Sequence, residues 1–243
     1  MMRVLVLGND TDDISRLVRD SGLEIVTEAP DVVLTYGGDG LLLHSEREWP
    51  GVPKLPLRNS GHGRKCEPHE AQEALKHLLR GDLVRSVHHK IRLEAGDRTQ
   101  LGLNEATIRN TRPTSAVRCL VWIGDREYGH EIIGDGIVVA TPFGSTGYYR
   151  SITRGIFRVG LGLAFNNTTE QMDHTVLPED VVIRVRITRG PAVAATDNHP
   201  DLIPLDRDDE VLIRQDEETT VILGLKGTGT HGWGRRARSE DDH

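Results

Sequence analysis

The sequence predicts an α/β N-terminal domain built on a parallel sheet, followed by a β-rich, β-sandwich-like C-terminal domain. Three observations carry this. Up to about residue 80, short Val- and Leu-rich runs alternate with helical patterns, and strands separated by helices pair in parallel with both faces covered. Beyond Val84 the texture changes to short alternating apolar segments. A length of 243 residues is enough to bury the cores of two modest domains, and two cysteines, Cys66 and Cys119, are too few for a disulfide framework. The predicted division is 1–85 and 86–243.

Residues 3–7 read as the first strand, and Thr11 or Asp12 caps a helix through Asp20 by accepting hydrogen bonds from its free amides. Strands follow at 24–27 and 31–36, the latter running straight into Gly37-Gly38-Asp39-Gly40. Residues 54–57 form another strand. Ala71, Ala74, Leu75 and Leu78 stand at helical spacing within 67–79, and Gly81 ends that helix. The remaining predicted strands are 91–94, 101–108, 117–123, 137–140, 181–188, 193–195, 210–214 and 219–223, with Gly124-Asp125 turning a hairpin.

Composition excludes several function classes. No apolar run approaches the roughly 20 residues that span a bilayer, so no membrane partner is expected. The opening apolar segment is too short for a signal peptide, and a cytoplasmic location is the expectation. With 37 acidic and 30 basic residues the formal charge is -7, which gives no general attraction to nucleic acid. His88 and His89 are adjacent and on a strand would face opposite sides, while His174 and His199 lack ligands at metal spacing, so no tightly bound metal is expected.

Two glycine-flanked acid signals carry the chemistry. In Gly37-Gly38-Asp39-Gly40 an acid leaves a parallel strand between residues that let backbone approach a ligand; an ordinary Asp-Gly turn is the competing reading. The second runs from Asp135-Gly136 through Thr141-Pro142-Phe143-Gly144-Ser145-Thr146-Gly147-Tyr148 to Ser151. Its hydroxyls at Thr141, Ser145, Thr146, Tyr148 and Ser151 could read a base edge or grip a ribose, against a plain hydroxyl-rich loop. Neither Gly-x-Gly-x-x-Gly after the first strand nor a Gly-x-x-x-x-Gly-Lys-Ser/Thr loop occurs.

These blocks, with Asn59-Ser60-Gly61-His62-Gly63, Asn104-Glu105 and a weaker match at Asp197-Asn198, resemble the NAD kinases, which phosphorylate the 2′-hydroxyl of the adenosine ribose of NAD. The resemblance covers about residues 31–199. It implies that Asp39 takes the proton of the attacking hydroxyl, that Gly40 lies against the dinucleotide and that His44 stands near the phosphates. It further implies that Asn104 and Glu105 bond the nucleoside parts, that Asp135 lies on the nicotinamide side, and that Thr146, Gly147, Tyr148, Tyr149, Arg150 and Ser151 surround the dinucleotide, with Asn198 in a late turn. The implied phosphate donor is ATP with Mg2+, or polyphosphate, and the implied assembly is a homodimer or homotetramer. The acid of the first half and the wall of the second are expected to engage one ligand, within a chain or across a subunit contact.

The chain departs from the family at Leu41, where a Thr is usual, at Arg64-Lys65-Cys66, and at Gly147, Tyr149, Arg150 and Arg154, the last standing where Gly is common. Two cations and a bulky ring in the cleft could recognise a phosphate instead of a nicotinamide; an exposed helix face is the competing reading for Arg150 and Arg154. A catalytically weak dinucleotide-binding homologue, or a kinase of another nucleotide, sugar or lipid hydroxyl, are the alternatives.

Overall fold

A computed structural model describes residues 1–59, 68–170 and 172–224 and divides the chain into two units. The first comprises residues 1–88 together with the segment from Thr220. Its elements are β1 (Arg3–Gly8), α1 (Asp12–Asp20), β2 (Glu24–Ile25), β3 (Val32–Tyr36), α2 (Asp39–Glu48), β4 (Lys54–Leu57), α3 (Pro68–Arg80) and the start of β5 (Val84–Ala95). All strand pairings β2-β1-β3-β4 are parallel, as the alternation predicts. Val32, Val33 and Leu34 are buried without polar alternation because helices cover a parallel strand on both faces. Ile14 and Val18, one turn apart on α1, and Ala71, Ala74, Leu75 and Leu78 on α3 fill one core with Val4, Leu34 and Leu55. Thr11 makes no side-chain cap. Its carbonyl instead accepts the Ser15 amide at 2.8 Å, and Asp12 and Asp13 place negative charge in the first turn.

The second unit spans His89–Thr219. It contains the rest of β5, then β6 (Arg98–Gly102), β7 (Glu105–Asn110), β8 (Val117–Ile123), β9 (Arg126–Glu127), β10 (Ile132–Gly134) and β11 (Gly136–Ala140). A 3-10 turn (Gly144–Thr146) and α4 (Tyr148–Thr153) precede β12 (Leu161–Asn166), β13 (Thr175–Leu177), β14 (Ile183–Arg189), β15 (Ala192–Thr196), β16 (Ile203–Leu205) and the first part of β17 (Glu210–Gly224). One antiparallel sheet runs β13-β12-β11-β7-β15-β16. A second antiparallel ladder joins β10, β8, β14 and β17. Their inward residues, among them Ile108, Ile137 and Leu163 from the first and Val121, Val185 and Val211 from the second, form a single buried cluster, which makes the unit a β-sandwich. Cys119 is sealed in that core, and burial pushes its thiol up to about 12.

Two expectations change. The predicted division at 85/86 lies close to the observed one, but the second domain does not keep the rest of the chain. β17 carries it back: Leu223 and Val221 pack in the first unit's core, and Ile222 pairs in parallel with Lys54. The segments predicted at 210–214 and 219–223 are thus one strand. The predicted strand 101–108 is broken at Leu103-Asn104, for a reason that belongs to the site.

Candidate nucleotide-binding site

In the first unit the candidate site grows from two parallel strands that end together. Gly8 of β1 is in register with Tyr36 of β3, and a crevice opens past such strand ends. A Cβ on Gly8 would lie 2.4 Å from the Tyr36 carbonyl oxygen, so only glycine permits the approach. The resulting cleft, of about 490 Å3, is lined by residues 7–10 and 36–38 with Leu41, His44 and Asn59. Gly37-Gly38-Asp39-Gly40 is not a free-standing turn: Gly38 is the N-cap of α2 and Asp39 its first residue. The sequence reading ended at the motif and missed this helix. An acid there is favoured by the helix dipole. Asp39 and Gly40 are exposed, Asp39 lies between the cleft residues Gly38 and Leu41, and its Oδ1 accepts a bond from Arg58 Nη2 at 3.1 Å.

His44, one turn along α2, lines the cleft, and Arg47 Nη2 lies 2.7 Å from its Nδ1. A guanidinium only donates, so Nδ1 accepts and the hydrogen resides on Nε2. Below this helix Lys54 is fully buried, donating to Glu46 Oε2 at 2.6 Å and to the carbonyls of Trp49 and Val52 at 2.8 and 2.5 Å. That pair ties α2, and with it Asp39 and His44, to β4. Asn9 and Asp10 were missed by the sequence reading; their signal is a position after β1 equivalent to that of the glycine motif after β3. Of the block at 59–63 only Asn59 falls within the described residues, and Arg64-Lys65-Cys66 lie outside them.

In the second unit Asp197, in left-handed conformation (φ 49°), places its carboxylate against the start of β7. Oδ2 accepts the Leu103 amide at 2.7 Å, and Oδ1 accepts those of Asn104 and Glu105 at 2.8 and 3.1 Å. These three amides are diverted from sheet pairing, which is why the predicted strand breaks here. The turn after β11 closes over the same point. Thr141 Oγ1 donates to the Leu103 carbonyl at 2.7 Å, and a Cβ on Gly144 would lie 2.0 Å from the Asn104 carbonyl oxygen, so residue 144 has no room for a side chain.

Residue 147 overlies the Asn104-Glu105 pair, since a Cβ there would sit 3.6 Å from Asn104 Nδ2 and 3.8 Å from Glu105 Oε2. Glu105 is 8 % exposed and its Oε2 has no hydrogen-bond partner among the described residues. Burial, with the neighbouring Asp197 charge, raises its carboxyl to about 8. A protonated or half-protonated acid is thus held beneath a glycine.

The hydroxyls expected to read a ligand divide into two groups. Thr141 and Ser145 are buried and spent on backbone carbonyls, the single Ser145 hydroxyl hydrogen lying between the carbonyls of Pro142 at 2.7 Å and Phe157 at 3.1 Å, so neither reads a ligand. Ser151 donates to the Tyr148 carbonyl at 2.7 Å, whereas the Tyr148 hydroxyl accepts from Asn166 Nδ2 at 3.1 Å and Thr146 is half-buried. Tyr149 is a correction. Its ring is 1 % exposed, edge-on to Phe157 with centroids 5.0 Å apart, so it belongs to a core with Ala140 and Ala164 and not to the cleft. Arg150 is exposed on α4, and Arg154 adopts φ 63° at the end of that helix, which accounts for the glycine usual at that position. Both Asp135 oxygens are taken, by Asn110 Nδ2 at 3.1 Å and Asn167 Nδ2 at 3.0 Å, and Asn198 is exposed beside Asp197.

The comparisons with known proteins point one way. A yeast NADH kinase solved with NADH superposes with a TM-score of 0.77 at 14% identity, over 92% of this chain and 83% of that one. An NAD kinase from Archaeoglobus fulgidus solved with ATP superposes with a TM-score of 0.74 at 19% identity, over 93% and 94%. Identities that low establish the fold. In sequence, the chain is 30% identical over 189 residues to an NAD kinase of Gemmatimonas aurantiaca, covering 71% of this chain and 64% of that protein. It is 34% identical over 137 residues to one of Methanopyrus kandleri, covering 54% and 47%. The match to an NAD kinase of Saccharolobus islandicus is 27% over 162 residues and likewise spans 64% of the relative's length. No family model matches. The chain thus shares the fold of NAD and NADH kinases of known structure and is similar in sequence to NAD kinases over about two thirds or less of their length.

Proposed function

We propose that this protein transfers a phosphoryl group from ATP or polyphosphate to the 2′-hydroxyl of the adenosine ribose of NAD, giving NADP. The observation that carries the reading is the Asn104-Glu105 shelf, fixed by Asp197 and overlain by a bare Gly147, which offers an amide and a carboxyl to nucleoside hydroxyls. In the first unit, Asp39 stands at the head of α2 between residues that line the cleft of about 490 Å3.

Phosphoryl transfer asks a protein mainly for positioning and charge neutralisation. Asp39 would accept the hydroxyl proton as the loose phosphoryl group arrives, when even a weakly basic carboxylate suffices because it is already in place. His44 would donate to a phosphate through Nε2–H. Mg2+ would enter as part of the ATP substrate. We extend the proposal to a cytoplasmic homodimer or homotetramer, as the family resemblance implies; no described helix is long and apolar enough to cross a membrane.

The test is to incubate the purified protein with NAD, Mg2+ and either ATP or polyphosphate, and to measure NADP. Asp39→Asn should lose most turnover while calorimetric NAD binding is retained. Its Arg58 ion pair is largely exposed, with side-chain accessibilities of 42% and 58%, so the folded state should be unaffected. Retained turnover in that variant removes Asp39 from the mechanism, and absence of dinucleotide binding to the wild type ends the reading.

A further inference from the structure

Strand β7 presents a second polar residue to the face that carries Glu105, and nothing above uses it. Ala106 and Ile108 point into the sandwich core, so by alternation Glu105, Thr107 and Arg109 share the opposite face. Arg109 is exposed there, and no carboxylate among the described residues lies within ion-pair distance of it. Its guanidinium instead lies 5.8 Å from the centroid of the Tyr148 ring, and Asn166 fixes the Tyr148 hydroxyl at 3.1 Å. Asn166 in turn faces Gly136, the residue paired with Arg109 across β11. The nearby acid does not neutralise this cation. Asp135 is held by Asn110, whose side chain alternates to the other face of β7, and by Asn167.

An arginine laid against an aromatic ring keeps its N–H fork free and partly ordered, which suits it to a phosphate. Glu105 and Arg109 stand four positions apart, about 13 Å along an extended strand. That spacing lets one end of the strip bind nucleoside hydroxyls while the other reaches a phosphate.

We propose that Arg109, laid against the Tyr148 ring whose hydroxyl Asn166 fixes, is an anion subsite that receives a phosphate group of the bound dinucleotide and makes binding depend on it. This rests on the dinucleotide reading given above. The anion is either the bridging diphosphate or the 2′-phosphate of the product, and the ligand series separates them.

The experiment is calorimetry of adenosine, ADP-ribose, NAD and NADP with the wild type, Arg109→Ala and Arg109→Lys, with unfolding curves confirming that this exposed position leaves the fold intact. Arg109→Ala is expected to weaken ADP-ribose and NAD about tenfold or more, as for loss of a charge-assisted hydrogen bond, while adenosine is unchanged and Arg109→Lys falls between. A loss confined to NADP assigns the subsite to the 2′-phosphate. Equal affinities of wild type and Arg109→Ala for all three phosphorylated ligands overturn the subsite and leave the dinucleotide reading standing. Failure of the wild type to bind any of them overturns both.

Discussion

Glu105 makes a quantitative prediction about stability. Its carboxyl is raised from 4.5 to about 8, chiefly by burial and then by Asp197. Below 4.5 it is protonated in folded and unfolded chains alike and contributes no pH dependence. Between 4.5 and about 8 the unfolded chain releases the proton and the native chain keeps it, so the native state binds more protons and stability falls as pH rises. The slope is about 1.4 kcal/mol per pH unit, and across that window the loss reaches about 5 kcal/mol, levelling off above pH 8. Glu105→Gln keeps the shape and a donor without the titration. Denaturant unfolding of both proteins at pH 5, 6, 7, 8 and 9, without ligand, reads the difference directly. The variant should match the wild type at low pH and gain on it steadily to pH 8, by several kcal/mol. A gap that stays constant from pH 5 to 9 would refute the argument, because it would mean that Glu105 ionises as readily in the folded protein as in the unfolded one.

Two further perturbations test the scaffolding. Lys54→Met removes the ammonium that neutralises the buried Glu46 carboxylate and should cost about 3–5 kcal/mol in denaturant unfolding. The double variant Lys54→Met with Glu46→Leu should recover much of that loss; an equal loss in both would mean that packing, not charge, sets it. Gly144→Ala drives a methyl group to 2.0 Å from the Asn104 carbonyl oxygen. It should displace the turn from the Asn104-Glu105 shelf, lowering stability by about 1–3 kcal/mol and NAD affinity with it; unchanged stability and affinity would show that the turn does not set the shelf.

Much of the fold was legible because its signals are local. The strand and helix periods of residues 3–36 and 67–79 reappear as β1, α1, β3 and α3, and Gly81 sits at φ 70° after the last of them. What failed was structure decided at long range. Leu161 to Phe165 are all buried between β11 and β13, so Leu-Gly-Leu-Ala-Phe shows no alternation. The helix after the glycine motif has apolar residues at three consecutive positions, 41–43, and a buried Glu46 whose partner stands on β4, so its helical period is blurred. The division of the site hydroxyls was equally hidden. Thr141, Ser145, Thr146 and Ser151 are alike in one dimension, and only the folded turn shows which ones the backbone consumes.

Asp197 shows why the Asn104-Glu105 shelf reads as functional on physical grounds alone. Its carboxylate answers three amides that sheet pairing abandons, and that service holds a negative charge beside another acid that is already desolvated. A core selected only for stability would place an apolar residue at 105, since a buried oxygen with no hydrogen-bond partner among the described residues costs about 1–3 kcal/mol. No cation among the described residues lies within ion-pair distance of Glu105, so nothing there draws the raised carboxyl back down. A ligand hydroxyl arriving beneath Gly147 would supply the missing partner. The cost borne by the empty chain then becomes part of the affinity for the molecule that relieves it, which is the usual place to find strongly perturbed titratable groups.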